Sequence, residues 1–181
     1  GEKDNIVSDK IAQGKIIGWF QGRMEYGPRA LGARSILAEA KNPEVTKQLN
    51  DKLQRSDFMP FAPVTIDTWA EKCFVDWKPD HILSKFMTTC YKCTPLLKEK
   101  CPAIVHLDDT ARPQVVFRED NPDYYDTIRC YIEKTGNPAI INTSFNFHEE
   151  PIVMTPADAI KCFLNNNVSV LVIGNYLIEQ S

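Results

Sequence analysis

Apolar positions fall in short groups separated by polar, proline-bearing and glycine-bearing stretches, the pattern of helices and strands packed together. Asp4 to Gln13 reads as a short helix ended by Gly14, and Lys15 to Phe20 follows as a β-like run. The chain then leaves for a long polar loop and re-enters an extended segment at Ser35-Ile36-Leu37-Ala38. Further strands are predicted at Phe61 to Ile66, Ala103 to Leu107, Gln114 to Phe117, Pro138 to Ile141 and Val168 to Ile173, each rich in β-branched or aromatic residues. Three helices share one device, a capping side chain followed by proline: Asn42-Pro43, Asn121-Pro122 and Thr155-Pro156. The second of these closes at Gly136, and Tyr125, Ile128, Tyr131 and Ile132 recur along it as a buried stripe. Asp76 to Lys100 is less regular and is read as a strand around Phe86 followed by a loop. The sum is one α/β (α+β) domain, a twisted mixed β-sheet with flanking helices spanning residues 1–181.

Composition narrows the class. A 43% hydrophobic fraction over 181 residues is enough for a core of its own. No apolar run approaches the ~20 residues of a membrane helix and no signal-peptide pattern opens the chain, so no membrane is expected and the cytoplasm is the default location. A formal net charge of -3 argues against broad nucleic-acid binding and leaves room for small anions. The six cysteines are expected to stay reduced. Cys73, Cys130 and Cys162 read as small core residues. Cys90, Cys93 and Cys101 with His106 match no common zinc spacing, and no metal site is assigned.

Against this acidic background Gly22 to Ser35 stands out, with three glycines, three arginines and one glutamate. Guanidinium forks match phosphate and carboxylate, and glycines let backbone N–H groups approach a ligand. Arg23, Arg29 and Arg34 are therefore candidate anion ligands; the competing reading has Arg29 or Arg34 pairing with carboxylates to pin the loop. A second polar cluster, Asn142-Thr143-Ser144-Phe145-Asn146, ends a buried strand, where α/β sheets place ligands and where self-satisfied turns also occur. Lys52 and Arg55 near a helix end, and Arg112 after Asp108-Asp109, supply further cations. Their number suits a nucleoside triphosphate together with a second phosphorylated substrate. Neither a P-loop nor a dinucleotide fingerprint is present, and no hydrolase triad can be assembled.

Several segments in order carry a resemblance over nearly the whole chain: Gly22-Arg23-Met24-Glu25-Tyr26-Gly27-Pro28-Arg29-Ala30-Leu31-Gly32, Pro60-Phe61-Ala62-Pro63, Asp109-Thr110-Ala111-Arg112-Pro113-Gln114, Asn142 to Asn146, and Glu150-Pro151-Ile152-Val153. They resemble the C-terminal domain of the carbamoyltransferase family that includes NodU and the antibiotic O-carbamoyltransferases. The resemblance implies a YrdC-like fold that binds ATP, with Mg²⁺, and carbamoyl phosphate, and makes carbamoyl adenylate with release of pyrophosphate. It also implies a separate N-terminal, actin-like domain that passes the carbamoyl group to an acceptor hydroxyl, so that this chain would be a fragment of a longer protein. Carried over residue by residue, Arg29 and Arg112 contact carbamoyl phosphate, and Asn142, Ser144 and Asn146 contact the nucleotide or the carbamoyl group. Ser144-Phe145-Asn146 resembles the Ser-x-Asn half of the YrdC signature. The Lys-x-Arg half reads Leu53-Gln54-Arg55, with the lysine displaced to Lys52, and antibiotic-type members have arginine at Met59. The rival readings are a non-catalytic nucleotide- or anion-binding or domain-docking module, and an RNA-binding domain.

Overall fold

The run after Gly14 becomes β1, Ile17–Phe20, and the chain returns antiparallel to it as β2, Arg34–Glu39, pairing Phe20 with Arg34 and Ile17 with Leu37. The arginine-rich loop is therefore the connection of a hairpin. In the computed structural model, which describes residues 1–53, 61–146, 150–165 and 168–179, the hairpin lies near the middle of a larger sheet. Strand β3 is Ala62–Ile66, β4 Tyr91–Lys92, β5 Thr110–Ala111, β6 Gln114–Val116, β7 Ile140–Ser144, β8 Val170–Ile173 and β9 Tyr176–Glu179. Among the described residues seven strands join in the order β6-β3-β7-β2-β1-β8-β9, while β4 and β5 form a separate two-stranded ribbon. Pairing is mixed: β1 runs parallel to β8 and β3 to β6, whereas β7 is antiparallel to both β2 and β3.

Period-two alternation sends neighbouring residues to opposite faces, and both faces are covered. Ile17, Trp19, Leu37, Ile140 and Val170 share a core with α1, Glu2–Ala12, and α5, Pro122–Thr135. Ile36, Ala38, Ile141 and Leu171 face the other core, with α2, Glu44–Lys52, α3, Asp67–Cys73, α4, Pro95–Lys100, and α6, Pro156–Leu164. Burial on both faces explains why the central strands read as continuous apolar runs rather than alternating ones. Two of the three capping devices operate: Asn121 accepts from Tyr124 N, and Thr155 and Asp158 form a reciprocal box. The third is corrected, because α2 starts at Glu44 with Pro43 as its N-cap and no side-chain cap bond, and Asn42 accepts from Glu44 N only in the turn ahead of it.

Two strand expectations are overturned. Ala103 to Leu107 is no strand; Pro102–Ile104 forms a 3-10 turn, since Pro102 lacks the N–H a ladder needs and favours the first turn of a helix. Phe86 likewise ends a 3-10 turn, Ile82–Phe86, that stops at Met87 in the left-handed region. Among the described residues no helix is long and apolar enough to cross a membrane.

What the fold does for the site is a matter of ends. The carboxyl ends of β1, β7 and β8 and the amino ends of β2, β3 and β6 lie at the same end of the sheet, as the registers require. The arginine loop, the Asn142 cluster and the Arg112 segment all emerge there.

Candidate active site at one end of the sheet

The arginine loop is first of all a structure that binds its own acid. Glu25 Oε1 accepts from the backbone N–H groups of Leu31 (2.7 Å), Ala33 (2.7 Å) and Arg34 (3.1 Å). This is an anion nest, and the anion in it belongs to the chain. Gly32 is committed as well: its N–H donates to Ser35 Oγ, and its carbonyl accepts from the indole of Trp19 at 2.8 Å. The expectation that the glycines free backbone donors for a ligand is corrected at these residues. Glu25 Oε1 is taken up by backbone amides, that of Arg34 among them.

Arg34 is 4% exposed, and its guanidinium donates to the carbonyls of Gln21, Gly22 and Ala33 while stacking 3.5 Å from the Phe20 ring. Burial pulls its pKa down and the nearby Glu25 carboxylate opposes that shift. These partners hold the two ends of the loop together. Arg34 is thus the pinning arginine of the competing reading, although its anchors are carbonyls and not a carboxylate.

Beneath the loop, two side-chain amides grip its backbone. Asn142, 1% exposed on β7, donates through Nδ2 to Ala30 O (2.9 Å) and to Gln114 Oε1 (2.8 Å), and Gln114 Nε2 donates to Leu31 O (2.8 Å). Both sit on the α1/α5 face, where the sheet's alternation places residues 140 and 142 together. Arg29 directly precedes the gripped carbonyls, so its backbone is fixed while its side chain stays exposed. Among the described residues Asn142 Oδ1 is buried without a partner, an acceptor left over inside the brace.

Arg112 arrives from another direction. It follows Ala111 in the ribbon and precedes Pro113 and Gln114 at the head of β6, so both flanks are anchored in strands. The loop salt bridge to Asp108 or Asp109 is not what forms: Asp109 pairs with Lys98 at 2.8 Å, and Asp108 accepts from Thr110. Arg112 Nε is buried with no partner among the described residues. A cavity of about 420 Å³ opens between Arg29 and Arg112, walled by Tyr26, Leu31, Phe86 and Met87. Two arginines 83 positions apart in sequence thus line one concave, otherwise uncharged space.

The remaining sequence candidates are placed less centrally. Arg23 is exposed on the loop and Lys52 is exposed at the last residue of α2; neither lines that cavity. Arg55 and Met59 lie outside the described residues. Thr143 and Ser144 are half-buried on β7, and Ser144 Oγ meets Asn146 Oδ1 at 2.6 Å, while Asn146 Nδ2 donates to Glu150 O. Asn142, Thr143 and Ser144 belong to the strand itself and not to a turn after it. Gln114, Phe86 and Met87 were given no site role from sequence. A lone glutamine opening the apolar run Gln114-Val115-Val116 was the signal for the first; the other two carried none.

Away from the cavity, His106 Nδ1 lies 3.2 Å from Thr110 Oγ1. Cys90 is exposed, Cys93 and Cys101 are buried, and Cys130 is only half-buried. Burial raises the thiol pKa of Cys73 and Cys101 to about 12.

Residues 8–180 match the family described as Carbamoyltransferase C-terminus. The chain belongs to that family. As a carbamoyltransferase-type C-terminal domain it is 40% identical over 182 residues to the nodulation protein NolO of Bradyrhizobium diazoefficiens, covering 98% of this chain and 33% of NolO. It is also 40% identical over 183 residues to an uncharacterised protein of Methanocaldococcus jannaschii, covering 99% of this chain and 29% of that protein. The chain therefore spans about a third of the length of the curated relatives it matches. Among solved structures, full-length HypF in its phosphate- and nucleotide-bound form superposes with a TM-score of 0.68 at 19% identity, over 96% of this chain and 25% of that one. The P. abyssi Sua5 complex with L-threonine gives 0.65 at 14% identity, over 94% of this chain and 46% of that one. The fold is the YrdC-like mixed sheet with flanking helices.

Proposed function

We propose that this carbamoyltransferase domain binds carbamoyl phosphate and ATP, the latter with Mg²⁺ on its phosphates, and joins them as carbamoyl adenylate. The observation that carries the reading is the meeting of Arg29 and Arg112 across one cavity of about 420 Å³. Two cations lining a space with no carboxylate in its wall suit a small dianion. Arg112 Nε is buried without a partner among the described residues, at an arginine that lines this space.

The chemistry balances as follows. Water takes the phosphoryl group of carbamoyl phosphate, giving carbamate and inorganic phosphate. A carbamate oxygen then attacks the α-phosphorus of ATP, the α–β bridging bond breaks, and pyrophosphate leaves. Arg29 and Arg112 bind the phosphate of the first substrate and stabilise charge as it is released. Lys52 and Arg55 steer the ATP phosphates, with Arg23 and the strand-end groups Thr143, Ser144 and Asn146 completing the nucleotide side. Asn142 acts mainly through the backbone: by holding Ala30 it aims Arg29. Arg34 contributes by closing the loop. Transfer to an acceptor hydroxyl falls to the polypeptide that accompanies this domain in its longer relatives.

The test is carbamoyl-phosphate-dependent exchange of labelled pyrophosphate into ATP. Arg29→Ala should lower it about 100-fold or more, the size expected when a charge-stabilising donor is removed, with circular dichroism unchanged because the side chain is exposed. Exchange at the unmutated rate would refute the assignment of Arg29. Calorimetric binding of both substrates with no exchange at all would replace the enzyme by a binding module.

A further inference from the structure

At the end of the sheet away from the arginine loop, β2 finishes at Glu39 and the chain approaches β7 through Asn137. A cavity of about 400 Å³ opens there. Its floor is polar and buried: Tyr131 is fully buried, Asn137 is 8% exposed, and Asn137 Nδ2 donates to the Tyr131 hydroxyl at 3.3 Å. Thr135 Oγ1 donates to Tyr131 O at 2.8 Å and accepts from Asn137 N at 3.1 Å, so the three residues form one braced turn. Four charged side chains complete the wall, Glu39, Lys41, Glu99 and Lys100. Among the described residues none of the four makes a side-chain hydrogen bond or an ion pair. Glu39 is half-buried and the other three are exposed, so one carboxylate lies deep and both ammonium groups lie at the mouth. Burial raises the Glu39 pKa and Lys41 opposes the shift; a cation brought closer relieves that cost. Ala12, Lys100 and Thr135 are the last residues of α1, α4 and α5, so three helix carboxyl ends, each partly negative, converge on the same space.

We propose that this cavity is a second ligand site, one that takes a small zwitterion of the amino-acid class, its ammonium inward on Glu39 and its carboxylate outward on Lys41 and Lys100. Charge decides the class. The two glutamates and two lysines cancel, so a ligand of a single sign would meet one pair and be repelled by the other, whereas a zwitterion serves both. Depth decides the orientation. Glu39 and the helix carboxyl ends favour positive charge inside, and an ammonium has three donors to share among that carboxylate, the Asn137 amide oxygen and the helix-end carbonyls. Size agrees, since about 400 Å³ falls within the roughly 300–1,000 Å³ of small-molecule pockets. The site is independent of the proposed chemistry, because no residue lines both this cavity and the one between Arg29 and Arg112.

Amide NMR of the isotope-labelled 181-residue chain, titrated with glycine, γ-aminobutyrate and ε-aminocaproate, tests the site, because these probes differ only in the distance between their charges. At least one of them should shift the amides of Glu39 to Lys41 and of Thr135 to Asn137 saturably. Hexylamine and hexanoate, each lacking one of the two charges, should bind about 10-fold more weakly or worse. Glu39→Gln keeps the side chain's shape and should weaken the zwitterion by about 10-fold or more, the loss of one charge-assisted contact. Lys41→Ala combined with Lys100→Ala, both at exposed side chains that the fold does not use, should do the same. The inference is overturned if none of the three zwitterions shifts these amides, or if affinity is unchanged in both variants. Hexylamine binding as tightly as the best zwitterion would overturn it too, making the cavity a plain cation site. So would displacement of the zwitterion by carbamoyl phosphate, which would move the binding to the arginine cavity.

Discussion

A Cβ added at Gly32 would lie 2.4 Å from the Tyr124 ring, and the residue already sits at φ +101°. Both facts forbid a side chain, one through strain and one through overlap with a fully buried ring. Gly32→Ala should therefore destabilise the domain by roughly 3 kcal/mol, combining a strained backbone with an overpacked contact. Urea denaturation measures it, and a loss under about 1 kcal/mol would show that Tyr124 yields freely. At this scale the sequence exposed candidate residues and hid their partners. Composition marked the loop as an anion holder, and it is one, but the anion in its amide nest is Glu25. A carboxylate in the same loop meets those amides without the entropy cost of association, which a list of residue types does not reveal. Arg29 and Arg112 were legible as candidates from their residue type and from the family resemblance. Their convergence depends on Gln114 and Asn142 bracing Ala30 and Leu31, contacts between residues as far as 112 positions apart.

Elements were legible where they were long or carried a cap. Helix α5 announces itself by Asn121-Pro122 and by its tyrosine and isoleucine stripe, and it closes at Gly136 as expected. Helix α4 uses the same device, Thr94 ahead of Pro95, yet six residues are too few for a periodic stripe to show. The two-residue strands β4 and β5 are shorter still, and only their pairing across 17 intervening positions makes them strands. The cap of α5 also reaches the site, because Asn121 Nδ2 donates to Gly32 O at 3.4 Å while Oδ1 accepts from Tyr124 N. Asn121→Ala should cost about 1–2 kcal/mol for the cap. It should also loosen the arginine loop, read as faster amide exchange at Leu31 to Arg34, whereas Asn121→Asp should keep the cap and lose only the bond to Gly32. If Asn121→Ala leaves loop exchange unchanged, the cap and the loop are uncoupled.

The molecule as a whole is a sheet buried on both faces, and several of its acidic protons are stored inside one of those cores. Cys73 and Cys101 rise from an ordinary 9.0 to about 12, and Cys93 from 9.0 to about 11, chiefly because burial disfavours the thiolate. On the other face Tyr131 moves from 10.0 to about 12 for the same reason. Because each folded-state pKa lies above its unfolded value, the native state binds protons that the unfolded chain has already released once pH passes about 9. The stabilisation is therefore complete below pH 9 and is lost progressively as pH climbs toward 12. For Cys73 and Cys101, both fully buried, the slope approaches about 1.4 kcal/mol per pH unit for each thiol. Urea denaturation under reducing conditions should show stability lower by on the order of 1–3 kcal/mol at pH 10 than at pH 8. Replacing both thiols by valine should flatten that dependence even if it shifts the absolute stability, since valine has no proton to lose. An equal pH 8 to pH 10 difference in the parent and the double variant would mean that groups other than these buried thiols set the alkaline limit of the fold.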